Sequence, residues 1–212
     1  EKLFEGMYIN SEEPTVSFRT AKYGDKRILI VGGMDHKTGA KIDLKNSYKR
    51  LEEVAKQGYG LDVLINDPDP EVRAIVARTG YRLDKLVYDE SYKVREEVAE
   101  LGYGLHILVD DPNCFVRGIV AENSYRLDKL VFDKDNDVRR LVASKGYGLD
   151  ILVHDTDSRV REEVAKQGYG LDILVHDTEP RVREEVARQG YGLDILVHDT
   201  DWIVREEVAK QG

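Results

Sequence analysis

The sequence predicts a mainly α protein: an α-solenoid of 22-residue repeats, each a long helix followed by a short helix or 3-10 turn, preceded by a small N-terminal β-hairpin segment. Three columns of residues carry this expectation. Tyr59, Tyr81, Tyr103, Tyr125, Tyr147, Tyr169 and Tyr191 are each 22 apart. Asp67, Asp89, Asp111, Asp133, Asp155, Asp177 and Asp199 keep the same step. So do Arg73, Arg95, Arg117, Arg139, Arg161, Arg183 and Arg205, each with a valine before it. Chance does not hold several columns in register over seven copies, and a fixed period of this length is the mark of a stacked repeat. The 18 residues from Arg161 recur from Arg183 with a single change, Lys166 to Arg188.

The copy beginning at Asp155 shows what each column does. Asp155 is placed to cap a helix N-terminus, where its carboxylate accepts orphan N–H groups and meets the positive end of the dipole. Pro68 and Pro112 follow the aspartate in two sister copies, a residue suited to a first helical position. Val160, Val164 and Ala165 form a narrow apolar stripe at helical spacing. Glu162 and Lys166 stand four apart on the other side as a solvated ion pair. Gly168 is expected to stop the helix in the left-handed conformation. Leu171, Leu174 and Val175 make a second apolar stripe. One unit is therefore a helix of about 12 residues, a tight turn and a helix of about 6. Neither helix buries its stripe alone, so neighbouring units must stack, about 10 Å apart.

These columns, an aspartate, a Val-Arg pair, a Val-Ala pair and a short leucine-rich segment, resemble the leucine-rich repeat variant family. They are also similar to HEAT-type repeats, which share the Asp and Val-Arg signature. The resemblance covers residues 51–212. It implies a right-handed superhelix of alternating α-helices and short 3-10-like helices, and a scaffold role. Variant repeats are also known beside an iron–sulfur cluster held by several cysteines. Cys114 is the single cysteine here, so that cofactor is not carried over.

Residues 1–50 do not fit the repeat and are read as a separate strand-rich segment. Met7–Ile9, Val16–Thr20 and Arg27–Val31 read as strands, with a hairpin turn at Tyr23, Gly24, Asp25 and Lys26. Residues 43–48 lead into a helix that matches the repeat from Arg50. Gly6–Ile9, Ser17–Thr20, Ile28–Gly33 and His36–Gly39 resemble an interior piece of the FAD-dependent, D-amino-acid-oxidase-like oxidoreductases. The phosphate-cradling fingerprints are missing: residues 32–39 fit neither G-x-G-x-x-G nor G-x4-G-K-[ST]. The segment is thus read as an oxidoreductase-like fragment without its own FAD site.

Charge narrows the function classes. The net charge is −9, and residues 1–50 hold 10 Lys and Arg against 7 Asp and Glu, leaving 22 against 34 for the repeats. An array at about −12 opposes binding driven by phosphate neutralisation, so no nucleic-acid partner is expected. One cysteine excludes an intrachain disulfide. No apolar run approaches the ~20 residues of a membrane span and no signal-peptide pattern opens the chain. The expectation is a cytoplasmic protein with no membrane partner.

Candidate chemistry is weighed against structure. His154, His176 and His198 recur once per repeat, about 10 Å apart by the stacking distance, too far for ligands held about 2 Å from one zinc ion. The Asp and Arg columns occur in every copy, whereas catalysis needs one centre. They are read as caps and as a ladder linking units. His36, Lys37 and Thr38 are read as an inert loop, and Cys114 as a bystander on a first helical turn. No catalytic, cofactor-binding or metal-binding residue is assigned.

The expected function is a non-catalytic scaffold for an unknown protein or peptide. The alternatives are an accessory or vestigial flavin-oxidoreductase segment and a nucleic-acid-binding solenoid, the latter disfavoured by charge. The most varied columns lie on the first turn of the long helix and include Tyr92, Phe115, Trp202 and Ile203, types enriched at binding hot spots apart from the isoleucine. These four are the expected partner-binding residues. Weak self-association through the C-terminal end is also expected, since Val204, Val208 and Ala209 precede no further repeat.

Overall fold

Apolar residues at three- and four-residue spacing do form helices, and they pack in sequence order. The computed structural model describes residues 17–23, 26–32, 52–53, 55–58 and 60–211. The chain divides into two units, Glu1–Leu101 and Gly102–Gly212. The division falls inside the repeats, between a long helix and the next short one.

In the first unit, strands β1 (Ser17–Tyr23) and β2 (Lys26–Gly32) pair antiparallel, with Tyr23 opposite Lys26 and Ser17 opposite Gly32. Both strands run longer than the sequence suggests. The expected strand at Met7–Ile9, the turn residues Gly24 and Asp25, and the loop at His36 lie outside the described residues. Helices α1 (Leu61–Leu64), α2 (Pro70–Arg78), α3 (Leu83–Leu86) and α4 (Tyr92–Glu100) follow. The two long ones, α2 and α4, pack on each other.

The second unit repeats the pattern five times. The short helices are α5 (Leu105–Leu108), α7 (Leu127–Leu130), α9 (Leu149–Leu152), α11 (Leu171–Leu174) and α13 (Leu193–Leu196). The long ones are α6 (Cys114–Glu122), α8 (Asn136–Ser144), α10 (Ser158–Lys166), α12 (Pro180–Arg188) and α14 (Trp202–Gln211). Each long helix packs on the next long helix, and each short helix on the long helix that follows it. No helix among the described residues is long and apolar enough to cross a membrane.

The core is the pair of stripes read from the sequence. Val160, Val164 and Ala165 on α10 are buried, as are Leu174 and Val175 at the end of α11, while Leu171 is only half-buried. Burial depends on the next repeat. Gly192 sits so close to Val175 that an added Cβ would stand 2.6 Å from its Cγ2, and Val175 is buried. Val197, the same position one repeat later, is 46% exposed where no following repeat is described. Val208 and Ala209 on α14 are likewise less covered than Val186 and Ala187 on α12.

Three details differ from the sequence reading. The long helices run 9 residues, 10 in α14, and the short ones 4. The long helix is shorter because it starts only at Ser158, after the Asp157 cap, and the turn between the two helices holds two left-handed glycines. Gly168 (φ 71°) stops α10 as expected, and Gly170 (φ 62°) then takes a second left-handed turn that opens α11. The third difference is the cap. Asp157, rather than Asp155, occupies the N-cap of α10, with extended backbone and a carboxylate accepting from Arg159 N at 2.9 Å. Asp155 lies two residues earlier and accepts the N–H of Asp157 at 2.9 Å, shaping the turn that leads into the cap.

Candidate interaction surface

The role freed at Asp155 is a clamp between repeats. Arg139 on α8 donates through Nε to Asp155 Oδ2 at 2.6 Å and through Nη2 to Oδ1 at 2.8 Å. Its remaining nitrogen, Nη1, donates to the carbonyl oxygen of Asp133 at 2.8 Å. One guanidinium thus ties the turn of its own repeat to the turn of the next. Arg117 with Asp133, Arg161 with Asp177 and Arg183 with Asp199 repeat the pattern in the second unit, and Arg73 with Asp89 in the first. The ladder expected from the sequence is present, with a fork geometry that arginine supplies and lysine does not.

Electrostatics follow from this geometry. Burial by itself raises the Asp155 carboxyl. The Arg139 hydrogen bond, the Asp157 N–H and the guanidinium charge outweigh it and hold its pKa below the ordinary carboxylate value. Asp177 is lowered through the same balance with Arg161. The Arg183 hydrogen bond does the same for Asp199 against burial. Asp67 is the exception: its pKa is raised, first by burial. Sixteen positions upstream, where the other copies carry the clamping arginine, the sequence has Leu51.

Recurring acid–base pairs held in this way are engaged in structure. Cys114 is the first residue of α6, and burial followed by a hydrogen bond with Asp135 pushes its thiol pKa up. A reactive cysteine needs the opposite shift, because the thiolate is the nucleophile. Among the described residues, no group of three or more His, Cys, Asp or Glu is arranged to hold a metal ion.

The four expected partner-binding residues sit on first turns. Tyr92 opens α4 in the first unit and is exposed. Phe115, second in α6, is 63% exposed, and Trp202, first in α14, is 64% exposed. Ile203 is half-buried and its N–H donates to Asp201 Oδ1 at 2.9 Å. Within the second unit Phe115 and Trp202 belong to repeats four steps apart, so they do not share one repeat's surface. The same column also lines a shallow polar depression of about 360 Å³ between the turns at Lys134–Asn136 and Thr156–Asp157.

A second exposed set pairs isoleucines that the sequence does not single out with the tyrosine column, which the sequence suggests as rings packing over the turn. Ile151, Ile173 and Ile195, the third residues of α9, α11 and α13, are exposed. Tyr147, Tyr169 and Tyr191, four positions earlier, are exposed as well. The signal was the isoleucine that breaks the Leu-x2-Leu-Val stripe. Leu174 and Val175 face inward, so Ile173 just before them faces out.

Fold and surface together define a helical-repeat protein. No family model matches the chain. A protein of Bacillus subtilis (strain 168), described as a putative Rieske 2Fe-2S iron-sulfur protein, is 28% identical to this chain over 58 residues. The match covers 27% of this chain and 11% of that protein, so the chain spans about a tenth of its relative's length.

Proposed function

We propose that the repeat array is a non-catalytic scaffold that binds a protein or peptide. The observation that carries this reading is the regular exposure of Tyr and Ile side chains every 22 residues, while the recurring charged columns are used up in clamps between repeats. Large apolar side chains exposed at a fixed period form a stripe, and contiguous apolar stripes on a polar protein mark interaction sites. Tyr92, Phe115, Trp202 and Ile203 add further contact points on the first turns. The reading includes the right-handed superhelix of the variant and HEAT-type repeats that the sequence resembles. Its test is affinity capture from the native host, with mass spectrometry of the retained proteins. Phe115→Ala with Trp202→Ala, and separately Ile151→Lys with Ile173→Lys and Ile195→Lys, are compared with the unaltered chain. Loss of a retained partner in a variant that unfolds normally supports the reading. Equal retention by both variants, or no retained protein at all, overturns it.

A second reading rests on the 58-residue likeness to a putative Rieske protein. It makes the chain an accessory piece of a redox protein, in keeping with the oxidoreductase-like residues of the first fifty. The Rieske cluster itself does not fit, because it takes two cysteines and two histidines and this chain has one cysteine. A flavin absorbance band in purified protein would favour this reading over the scaffold.

A further inference from the structure

The short helices change character along the second unit. The third residue of α7 is Lys129, and its ammonium pairs with Asp110 at the end of the preceding short helix. Lys85 makes the same reach to Asn66 Oδ1, at 2.7 Å, in the first unit. In α9, α11 and α13 that residue is Ile151, Ile173 and Ile195, and the opposite column holds Phe132, His154 and His176. In α5 the residue is Ile107, half-buried, whereas in α9, α11 and α13 it is an exposed aliphatic side chain over three consecutive repeats.

Charge on this face has one sign. Asp150, Asp172 and Asp194 are all exposed beside the isoleucines. Residues 167–178 and 189–200 contain aspartates and neither lysine nor arginine, and in 145–156 the one such cation is Lys145. Each of the three repeats thus presents an exposed tyrosine, carboxylate and isoleucine within five residues.

We propose that this face binds a polyproline-II peptide with a cation at every third position. The inference rests on the scaffold reading and names its ligand class. Successive long helices of the second unit pack on each other, and packed helices stand about 8–10 Å apart, so the repeat step that spaces the carboxylates is of that order. A polyproline-II helix has three residues per turn and rises about 3.1 Å per residue, returning the same face every 9.3 Å or so. A β-strand does not match, because alternate side chains point to opposite faces and every third residue faces away. Cations at that period meet Asp150, Asp172 and Asp194, and the residues between them pack on Tyr and Ile. Tyrosine hydroxyls are suited to the peptide carbonyls, which carry no internal hydrogen bonds.

The test is fluorescence anisotropy of the full chain with three labelled peptides of equal length: a Lys-Pro-Pro repeat, a Glu-Pro-Pro repeat, and a peptide of the first composition with its lysines clustered at one end. The Lys-Pro-Pro repeat is expected to bind at least about tenfold more tightly than either of the others, more weakly as salt rises. The triple variant Ile151→Lys, Ile173→Lys, Ile195→Lys is expected to lose about tenfold or more, and the fold accepts lysine there, as Lys85 and Lys129 demonstrate. Asp150→Asn with Asp172→Asn and Asp194→Asn is expected to lose as much, with circular dichroism melting to verify that both variants fold. Equal binding of the clustered peptide, unchanged binding by folded variants, or no Lys-Pro-Pro binding overturns the inference. If the isoleucine variant loses a host partner that the unaltered chain retains while the peptide does not bind, the scaffold reading survives alone. If no host protein is retained and no peptide binds, both fall.

Discussion

Arg139 and Asp155 stand sixteen residues apart in sequence and in successive repeats, yet their side chains meet through two parallel hydrogen bonds of 2.6 and 2.8 Å. The aspartate side chain is 6% exposed and the arginine 15%. A paired, largely desolvated fork of this kind is costly to break from one side, because the other charge stays behind without its partner.

Asp155→Ala is accordingly expected to cost about 3 kcal/mol, the range for removing one member of a buried pair. Asp157→Ala, which removes the N-cap of α10, is expected to cost about 1 kcal/mol. Urea unfolding of the two variants checks the order. An equal loss, or a larger one at Asp157, contradicts the division of labour between them.

Arg161→Lys keeps the charge and removes the fork. Arg161 reaches Asp177 through Nε at 2.6 Å and Nη2 at 2.8 Å, and the Asp155 carbonyl through Nη1 at 2.7 Å. One ammonium cannot satisfy all three in that geometry. The expected loss is about 1–2 kcal/mol by thermal or urea unfolding, less than for Arg161→Met.

Stability is expected to fall on acidification. Asp155, Asp177 and Asp199 have folded-state pKa values below their ordinary 3.8, so the unfolded chain takes up protons first as pH drops. Their contribution is complete above about pH 5 and is lost as pH falls through 3.8 and below it. Asp67 works in the other direction, since its raised value lets the folded state bind a proton first. With Asp155, Asp177 and Asp199 lowered against Asp67 raised, the urea midpoint should be flat from about pH 7 to 5 and then drop. A midpoint that rises below pH 5 would contradict the clamp as a stabilising device.

Gly170→Ala tests the close approach of adjacent repeats. The glycine has φ 62°, and an added Cβ would lie 2.6 Å from Val153 Cγ2. The left-handed backbone and the overpacking together are expected to cost about 2–3 kcal/mol. Gly60→Ala, with φ 68° and nothing within 4 Å of the new atom, should cost only about 1 kcal/mol. Adding Val153→Ala to Gly170→Ala should recover part of the loss by making room. Equal melting shifts for the two single variants would remove the contact from the explanation.

Much of the fold was legible because burial leaves a period. Val160, Val164 and Ala165 recur at helical spacing in every copy, and that alone places the long helix and its inward stripe. Gly168 marks its end by a conformation few other residues take without strain. The linking of the Asp and Arg columns was also readable, since seven copies leave no room for a unique active centre. The surface was less so. Phe115 and Trp202 stand out by residue type, but four repeats separate them, while the isoleucine column is a plain aliphatic residue inside an apolar segment.

Sequence alone determined that the chain forms helix pairs recurring every 22 residues and which side chains form their core, because apolar periodicity is a local record of which face avoids water. Tertiary structure decided which aspartate caps and which one clamps. Asp155 and Asp157 are both near the start of α10 and both suited to capping. Asp157 fills the N-cap while Arg139, arriving from the preceding long helix, holds Asp155 in a bidentate bond. It likewise decided that Ile173 faces solvent while Leu174 is buried, since only the position of the next repeat determines which side of a four-residue helix is covered.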